Sequence, residues 1–279
     1  MDNKISYQLF GKQNSENCLF LHGNGFPPLA YRQFLKKLSL KFKVHAMNQR
    51  PFWGNQIDPS LINNWDIFKN DTLKFLDQNN LFNSIAIGHS MGAVIILLIE
   101  IENPGTFKKI FLLDPVITSQ AKSILYKILL SIGVIDIMHP MIQATNRKRM
   151  IFENKDLMYQ SYRNKKIFNK INNQDLMNYI NSITEERDDY IKIKISKKWE
   201  NSIYRTGSIH DVKIWKNIEK ISVPSYVILP EKNQFGHFNY GSKLREKNRI
   251  FKNFFIKKSS HLFPIEKPQE TSDLILYNS

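Results

Sequence analysis

Ser84-Ile85-Ala86-Ile87-Gly88-His89-Ser90-Met91-Gly92-Ala93-Val94-Ile95-Ile96-Leu97-Leu98-Ile99 reads as a strand, a tight glycine-flanked turn carrying a serine, and a helix. The turn lifts one hydroxyl out of the backbone. A base can reach it there, and a helix N-terminus can stabilise negative charge developing beside it. The helix is closed by Asn103-Pro104-Gly105, where proline and glycine break the pattern.

Working outward, short apolar runs alternate with longer helical patterns. Strands are expected at Cys18 to Leu21, Lys43 to Met47, Ser84 to Ile87, Lys109 to Leu113, Ser225 to Leu229 and Arg249 to Phe255. Helices are expected at Tyr31 to Leu40, Trp65 to Asn79 and Gly92 to Glu102. This alternation predicts an α/β fold with a mostly parallel central sheet flanked by helices. From about Thr118 to Lys216 the chain loses strand alternation and becomes helical, basic and rich in Tyr, Asn and Met. Amphipathic helices begin at Ser123 and span Asp175 to Ile183. The strand pattern resumes at Val223, so a helical insertion at 118–216 is expected within a core made of 1–117 and 217–279. The chain has no internal repeats and no low-complexity linker.

Three further segments join the serine turn. Leu19-Phe20-Leu21-His22-Gly23-Asn24-Gly25-Phe26 is a strand entering a glycine-rich loop. A serine nucleophile needs two preorganised N–H donors for its oxyanion. Met91, the residue after the serine, offers one, and Asn24 in this loop is expected to offer the other. Asp114 ends the apolar strand Lys109 to Leu113, at the sheet edge where ligand sites form. A carboxylate there can orient a histidine and stabilise its charged form; the plain alternative is a turn-initiating Asp-Pro. His261 follows the last strand and is the expected general base. Of the seven histidines, His22 and His89 read as scaffold, His45 lies in a strand, and His139 and His210 lie in the insertion. His237 is the remaining rival.

The order Ser90, Asp114, His261 and these four segments resemble the α/β-hydrolase superfamily, in its serine-nucleophile, esterase- and lipase-like branch. His22-Gly23-Asn24-Gly25 is similar to its oxyanion-hole segment, Gly88 to Gly92 to its nucleophile elbow, and Ser260 to Pro268 to its histidine loop. The resemblance covers roughly 16–117 and 220–275, and it makes the insertion the family's variable cap. Two departures stand out. The loop Asn48-Gln49-Arg50-Pro51-Phe52-Trp53-Gly54 keeps the arginine but not the first glycine of the family's Asp-x-Arg-Gly-x-Gly. The family's usual acid follows the next-to-last strand, where this chain reads Pro230-Glu231-Lys232-Asn233-Gln234, with asparagine in the aspartate's place. Asparagine carries no charge to stabilise an imidazolium. Leu113-Asp114-Pro115 resembles the acid position of pancreatic-type lipases, which makes Asp114 the expected acid, with Glu231 or no effective acid as the alternatives.

The resemblance implies a serine hydrolase that cleaves carboxylic esters through an acyl-enzyme, using Ser90, His261 and Asp114 with Asn24 and Met91 as the oxyanion hole. A serine nucleophile excludes the branches that need a carboxylate nucleophile. The insertion's Leu129, Ile132, Met138, Met141, Tyr159 and Tyr162 offer a lining that fits an acyl or aromatic ester, with packing of the cap against the core as the alternative for most of them. Carbon–carbon bond hydrolysis, amide or thioester cleavage, and a catalytically silent binding protein are the alternatives. No metal or organic cofactor is implied, and the expected partner is a small acyl ester.

Composition sets the outer bounds. The 279 residues, 42% hydrophobic, suffice for one large core with an insertion. A single cysteine, Cys18, in an apolar run excludes a disulfide framework and reads as a buried thiol. A polar N-terminus and the lack of any long apolar stretch predict a protein without a transmembrane segment, placed in the cytoplasm. The net charge of +15 raises nucleic acid as a partner, but no nucleic-acid motif accompanies it. The lysine excess runs with Asn and Ile, which points to nucleotide composition, and a leaning toward anionic substrates or lipid surfaces lies between the two readings.

Overall fold

The computed structural model describes residues 5–53, 57–231 and 240–279. The first part of the chain supplies β1 (Tyr7–Phe10), β2 (Glu16–Leu21), α1 (Arg32–Leu38), β3 (Phe42–Met47), α2 (Asp66–Gln78), β4 (Ile85–His89), α3 (Met91–Glu102) and β5 (Lys109–Leu113). The segment after β5 holds α4 (Gln120–Ser131), α5 (Ile135–Met138), α6 (Pro140–Asn146), β6 (Ile151–Phe152), α7 (Lys155–Arg163), α8 (Asn173–Ile183), β7 (Thr184–Arg187), β8 (Tyr190–Ile193), α9 (Lys197–Thr206) and α10 (Asp211–Asn217). The chain returns through β9 (Ser225–Pro230), α11 (Tyr240–Lys247), β10 (Phe251–Ile256), α12 (Phe263–Glu266) and α13 (Pro268–Tyr277).

Among the described residues, seven strands form one sheet in the order β1-β3-β2-β4-β5-β9-β10. Every neighbouring pair is parallel except β1 with β3. All six expected strands are present, within one to two residues at most ends. β1 was not expected. It is a short antiparallel edge strand whose side chains are only partly covered, so it lacks the apolar run that marks the buried strands.

The central strands and α3 owe their composition to burial on all sides. Met91 to Ile101 of α3 are all buried, which explains a helix that is apolar around its whole circumference. The register then places the functional loops. β4 and β5 pair His89 with Leu113, so the next residues, Ser90 and Asp114, leave the sheet side by side. β2 and β4 pair Leu21 with Gly88, so the loop beginning at His22 emerges next to the serine turn.

The expected helical insertion is only partly helical. β6, β8 and β7 form a three-stranded antiparallel sheet inside it. In β8, Ile191 and Ile193 are buried while Tyr190 and Lys192 face out, a period-two pattern that reads as a basic run when only the lysines are counted.

Candidate active site

Ser90 sits at φ 57° and ψ −116°, between the last residue of β4 and the first of α3. A non-glycine residue at positive φ is strained, and here the strain turns the chain sharply from strand to helix. The flanking glycines answer to space. A Cβ on Gly88 would lie 2.6 Å from the Ala93 nitrogen, and one on Gly92 would lie 2.2 Å from the Leu21 carbonyl oxygen. The Ser90 N–H donates to the Leu113 carbonyl at 2.9 Å, tying the turn to β5.

His261 and Asp114 meet this serine. His261 Nε2 lies 3.0 Å from Ser90 Oγ, and His261 Nδ1 lies 2.6 Å from Asp114 Oδ2. Asp114 also has positive φ, 42°, and its N–H donates to Ile228 O at 2.9 Å. With Nδ1–H donating to the carboxylate, Nε2 carries the lone pair that faces the hydroxyl. All three residues are buried. The second carboxylate oxygen, Asp114 Oδ1, accepts the Tyr240 hydroxyl. Burial and the Asp114 charge hold that phenol well above its ordinary range, so it remains a donor.

Glu231 does not approach this group. Its carboxylate is on the surface and accepts the Lys258 N–H at 2.8 Å. Asn233 and the rival base His237 lie outside the described residues. The loop carrying His261 is fixed by Glu266, which accepts both the backbone N–H and the hydroxyl of Ser260.

His22 and His89 are scaffold, each built into a defined network. His22 Nδ1 donates to Gly23 O at 2.8 Å, and its Nε2 accepts the Gln49 N–H at 2.9 Å. Burial pushes this imidazole down to about 4, so it stays neutral. Gln49 belongs to the loop that departs from the family pattern, and the loop packs beside the site despite the change; Arg50 there pairs with Asp71. Gly54 of that loop lies outside the described residues. His89 Nε2 donates to the His261 carbonyl at 2.8 Å, and its Nδ1 accepts the Tyr31 hydroxyl at 2.7 Å. Tyr31 in turn accepts the Gly23 N–H at 3.3 Å. Burial, followed by the neighbouring His261, depresses His89 well below the ordinary histidine range. A neutral imidazole therefore joins the glycine loop to the backbone of His261. Neither Tyr31 nor Tyr240 is marked by any local sequence pattern, because each is recruited from a distant element.

Asn24 and Met91 line the same cavity as Ser90 and His261. Among the described residues, the backbone N–H of neither has a hydrogen-bond partner; for Met91 this follows from its place at the first turn of α3. The Asn24 side chain donates to Glu200 O at 3.3 Å, which ties the loop to α9. Gly25 allows the turn with φ 76°.

The cavity encloses about 540 Å³. Its wall is mainly apolar, and among the described lining residues Lys122 is the one lysine or arginine and none is a carboxylate. Of the six residues expected to line it, Met141 does. Ile132 and Met138 point to solvent instead, and Tyr162 is buried in a stack with Phe168 (ring centroids 5.2 Å apart). Leu129 and Tyr159 are partly buried away from the wall. Their places are taken by Ile117, Ile167, Ile203 and Tyr204. Among the described residues, no group of three or more His, Cys, Asp or Glu is placed to hold a metal.

With this geometry in hand, the chain can be set against known proteins. The family described as serine aminopeptidase, S33, matches residues 12–247. No curated protein matches the sequence. Among solved structures, it resembles E-2-(acetamidomethylene)succinate hydrolase with a TM-score of 0.78 at 14% identity, over 98% of this chain and 94% of that one. The thioesterase domain from the curacin biosynthetic pathway gives 0.74 at 14% identity, over 98% and 100%. A hydrolase described as putative from Rickettsia typhi gives 0.72 at 20% identity, over 99% and 92%. At such identities the likeness is one of fold.

Proposed function

The chain belongs to the α/β-hydrolase family described as serine aminopeptidase, S33, and on that premise we propose that it cleaves carboxylic esters through an acyl-enzyme on Ser90. The observation that carries this reading is the hydrogen-bonded chain from Asp114 through His261 to Ser90. His261 Nε2 takes the Ser90 proton as Oγ attacks the ester carbonyl. Asp114 keeps the imidazole in the required tautomer and stabilises its charged form, while the N–H groups of Asn24 and Met91 receive the oxyanion. His261 then passes the proton to the leaving alcohol. Next it draws a proton from water, which attacks the acyl group and releases the acid.

Ester cleavage is favoured over removal of an amino-terminal residue by the character of the cavity wall. A free ammonium group needs a carboxylate to replace its hydration, and none lines the cavity among the described residues. An apolar wall with one lysine suits an acyl chain and a neutral or anionic substrate. In this reading residues 118–216 act as a cap that closes the site, supported by the lining residues that they contribute. No helix among the described residues is long and apolar enough to cross a membrane.

The test is a panel of soluble acyl esters of increasing chain length, alongside a thioester, a diketone and a peptide with a free amino terminus. Ester turnover that is lost in Ser90→Ala is expected. Release of the amino-terminal residue from the peptide, with the esters untouched, would contradict the proposal.

A further inference from the structure

Helix α4 has two unlike faces. Ser123 Oγ donates to Ser208 O at 2.6 Å and the Tyr126 hydroxyl donates to Tyr204 O at 2.7 Å, so one face is pinned to α9 and the turn after it. At about 100° per residue, Ala121, Ile124, Leu125, Ile128 and Ile132 fall within roughly 100° of circumference on the opposite side. The four large residues among them are more than half exposed, as are Ile137 and Met138 of α5; the six range from 53% to 76%. Six large apolar side chains on two consecutive helices form a patch of the kind that marks a docking surface, whereas exposed apolar residues scattered singly need no partner.

The charges around the patch identify the partner. Lys122 and Lys127 lie about 60° beyond either edge of the apolar face and both are exposed, at positions from which a long basic side chain can cover apolar surface while its ammonium stays in water. Across 118–150 the basic residues are Lys122, Lys127, Arg147, Lys148 and Arg149, against Asp136 alone. Asp136 is engaged by Arg205, and Lys148 by Glu200. A second copy of the chain would bring these lysines against their own counterparts, on a protein with net charge +15. A bilayer with acidic headgroups accepts the lysines and the apolar residues together.

The patch also adjoins the cavity. Lys122 of α4, and His139, Pro140 and Met141 directly after α5, line the space that contains Ser90. We propose that the outer face of α4 and α5 docks on an anionic lipid bilayer, and that acyl esters held in that bilayer are the substrates that enter the Ser90 cavity. The docking stands on the patch alone; the choice of substrate rests on the hydrolase reading.

Docking is measured by cosedimentation of Ser90→Ala protein with phosphatidylcholine vesicles, with and without phosphatidylserine. Using this variant separates binding from any chemistry at Ser90. About tenfold or greater preference for the phosphatidylserine vesicles is expected, weakening as salt is raised. Adding Ile124→Gln, Ile128→Gln and Ile132→Gln should lower binding about tenfold or more. The same triple substitution in the wild-type background should leave the thermal midpoint and the turnover of a soluble short-chain ester within about twofold, because these side chains touch neither core nor cavity. Equal binding by the triple variant, no dependence on phosphatidylserine, or a concentration-dependent dimer lost in the triple variant without vesicle binding would each overturn the docking. Docking without ester turnover would leave the surface standing and remove the substrate assignment.

Discussion

At the scale of single residues, Ser90 and Asp114 share a device. Both sit directly after paired residues of adjacent parallel strands, and both adopt positive φ. The sheet register brings them together, and His261 closes the gap. Asp114→Asn should lower kcat by about a thousandfold or more, because asparagine favours the wrong imidazole tautomer and cannot stabilise its charge. Glu231→Gln should leave kcat within about twofold, since that carboxylate binds the Lys258 backbone instead. Steady-state kinetics on one soluble ester distinguishes the two sites, and the reverse ranking would move the acid to the later loop. His89 is a positioning residue. His89→Phe should lower kcat about tenfold to a hundredfold with little change in KM, because a misplacement of about 1 Å at a reacting group can cost about a hundredfold. An unchanged kcat would make the link from Tyr31 to the His261 carbonyl merely structural. Ser90, Asp114 and His261 were legible because each stands in a local pattern of strand, turn and loop. Tyr31 and Tyr240 were not, because each reaches the site from an element whose own sequence carries no sign of it.

At the scale of elements, the serine turn is a close crossing of β2, β4 and α3. Gly92→Ala would force a Cβ to within 2.2 Å of the Leu21 carbonyl, a backbone atom of a buried strand. This overpacking should destabilise the protein by about 1–3 kcal/mol, read as a lower midpoint in urea. Gly105→Ala meets no atom within 4 Å and is strained only by its φ of 82°. It should cost about 1–2 kcal/mol from backbone strain while leaving the site intact. Ester turnover lost in both variants alike would contradict the difference between a steric and a conformational glycine. The buried parallel strands announced themselves as apolar runs, whereas β1, β6, β7 and β8 did not. These four are only two to four residues long and half-exposed, too short for an apolar run, and β7 is mostly charged. For α4 the amphipathic pattern is legible, but not the side that the protein covers. A helix with apolar residues on several sides does not say which side the protein covers, and that is why Ile132 was expected at the cavity wall and lies outside it.

At the scale of the whole molecule, residues 118–216 share one apolar core with the rest of the chain, with Phe26 stacked on Tyr179 at 4.6 Å between ring centroids, and polar bonds add to it. Asn24 donates to Glu200 O and Trp65 Nε1 donates to Ile203 O at 3.2 Å, while within the segment Asp211 accepts the Thr118 N–H and hydroxyl at 2.8 and 2.7 Å. These buried groups set the dependence of stability on pH. Burial holds His22 and His45 down to about 4, and His89 well below its ordinary value. The unfolded chain takes up protons on these imidazoles near 6.5 while the folded chain does not. Their contribution is therefore full above that pH and is lost as pH falls toward 4. Asp211 acts in the opposite sense. Burial raises its carboxyl to about 7 from 3.8, so its contribution is full in acid and lost as pH rises through 7. His139 and His210 are lowered by burial as well, and between about pH 7.5 and pH 5 these imidazoles outweigh Asp211, so the urea midpoint should fall over that range. Asp211→Asn removes the opposing group and should make that fall steeper; a shallower fall would contradict the assignment.

The central claim is that Ser90, activated by His261, is a nucleophile in the folded protein. Reaction with a fluorophosphonate, followed by intact mass and peptide mapping, tests it directly. One adduct, on Ser90, is predicted for the wild-type protein, none for Ser90→Ala, and strongly slowed labelling for His261→Ala. No adduct on folded wild-type protein, or an adduct on another residue, would contradict the account.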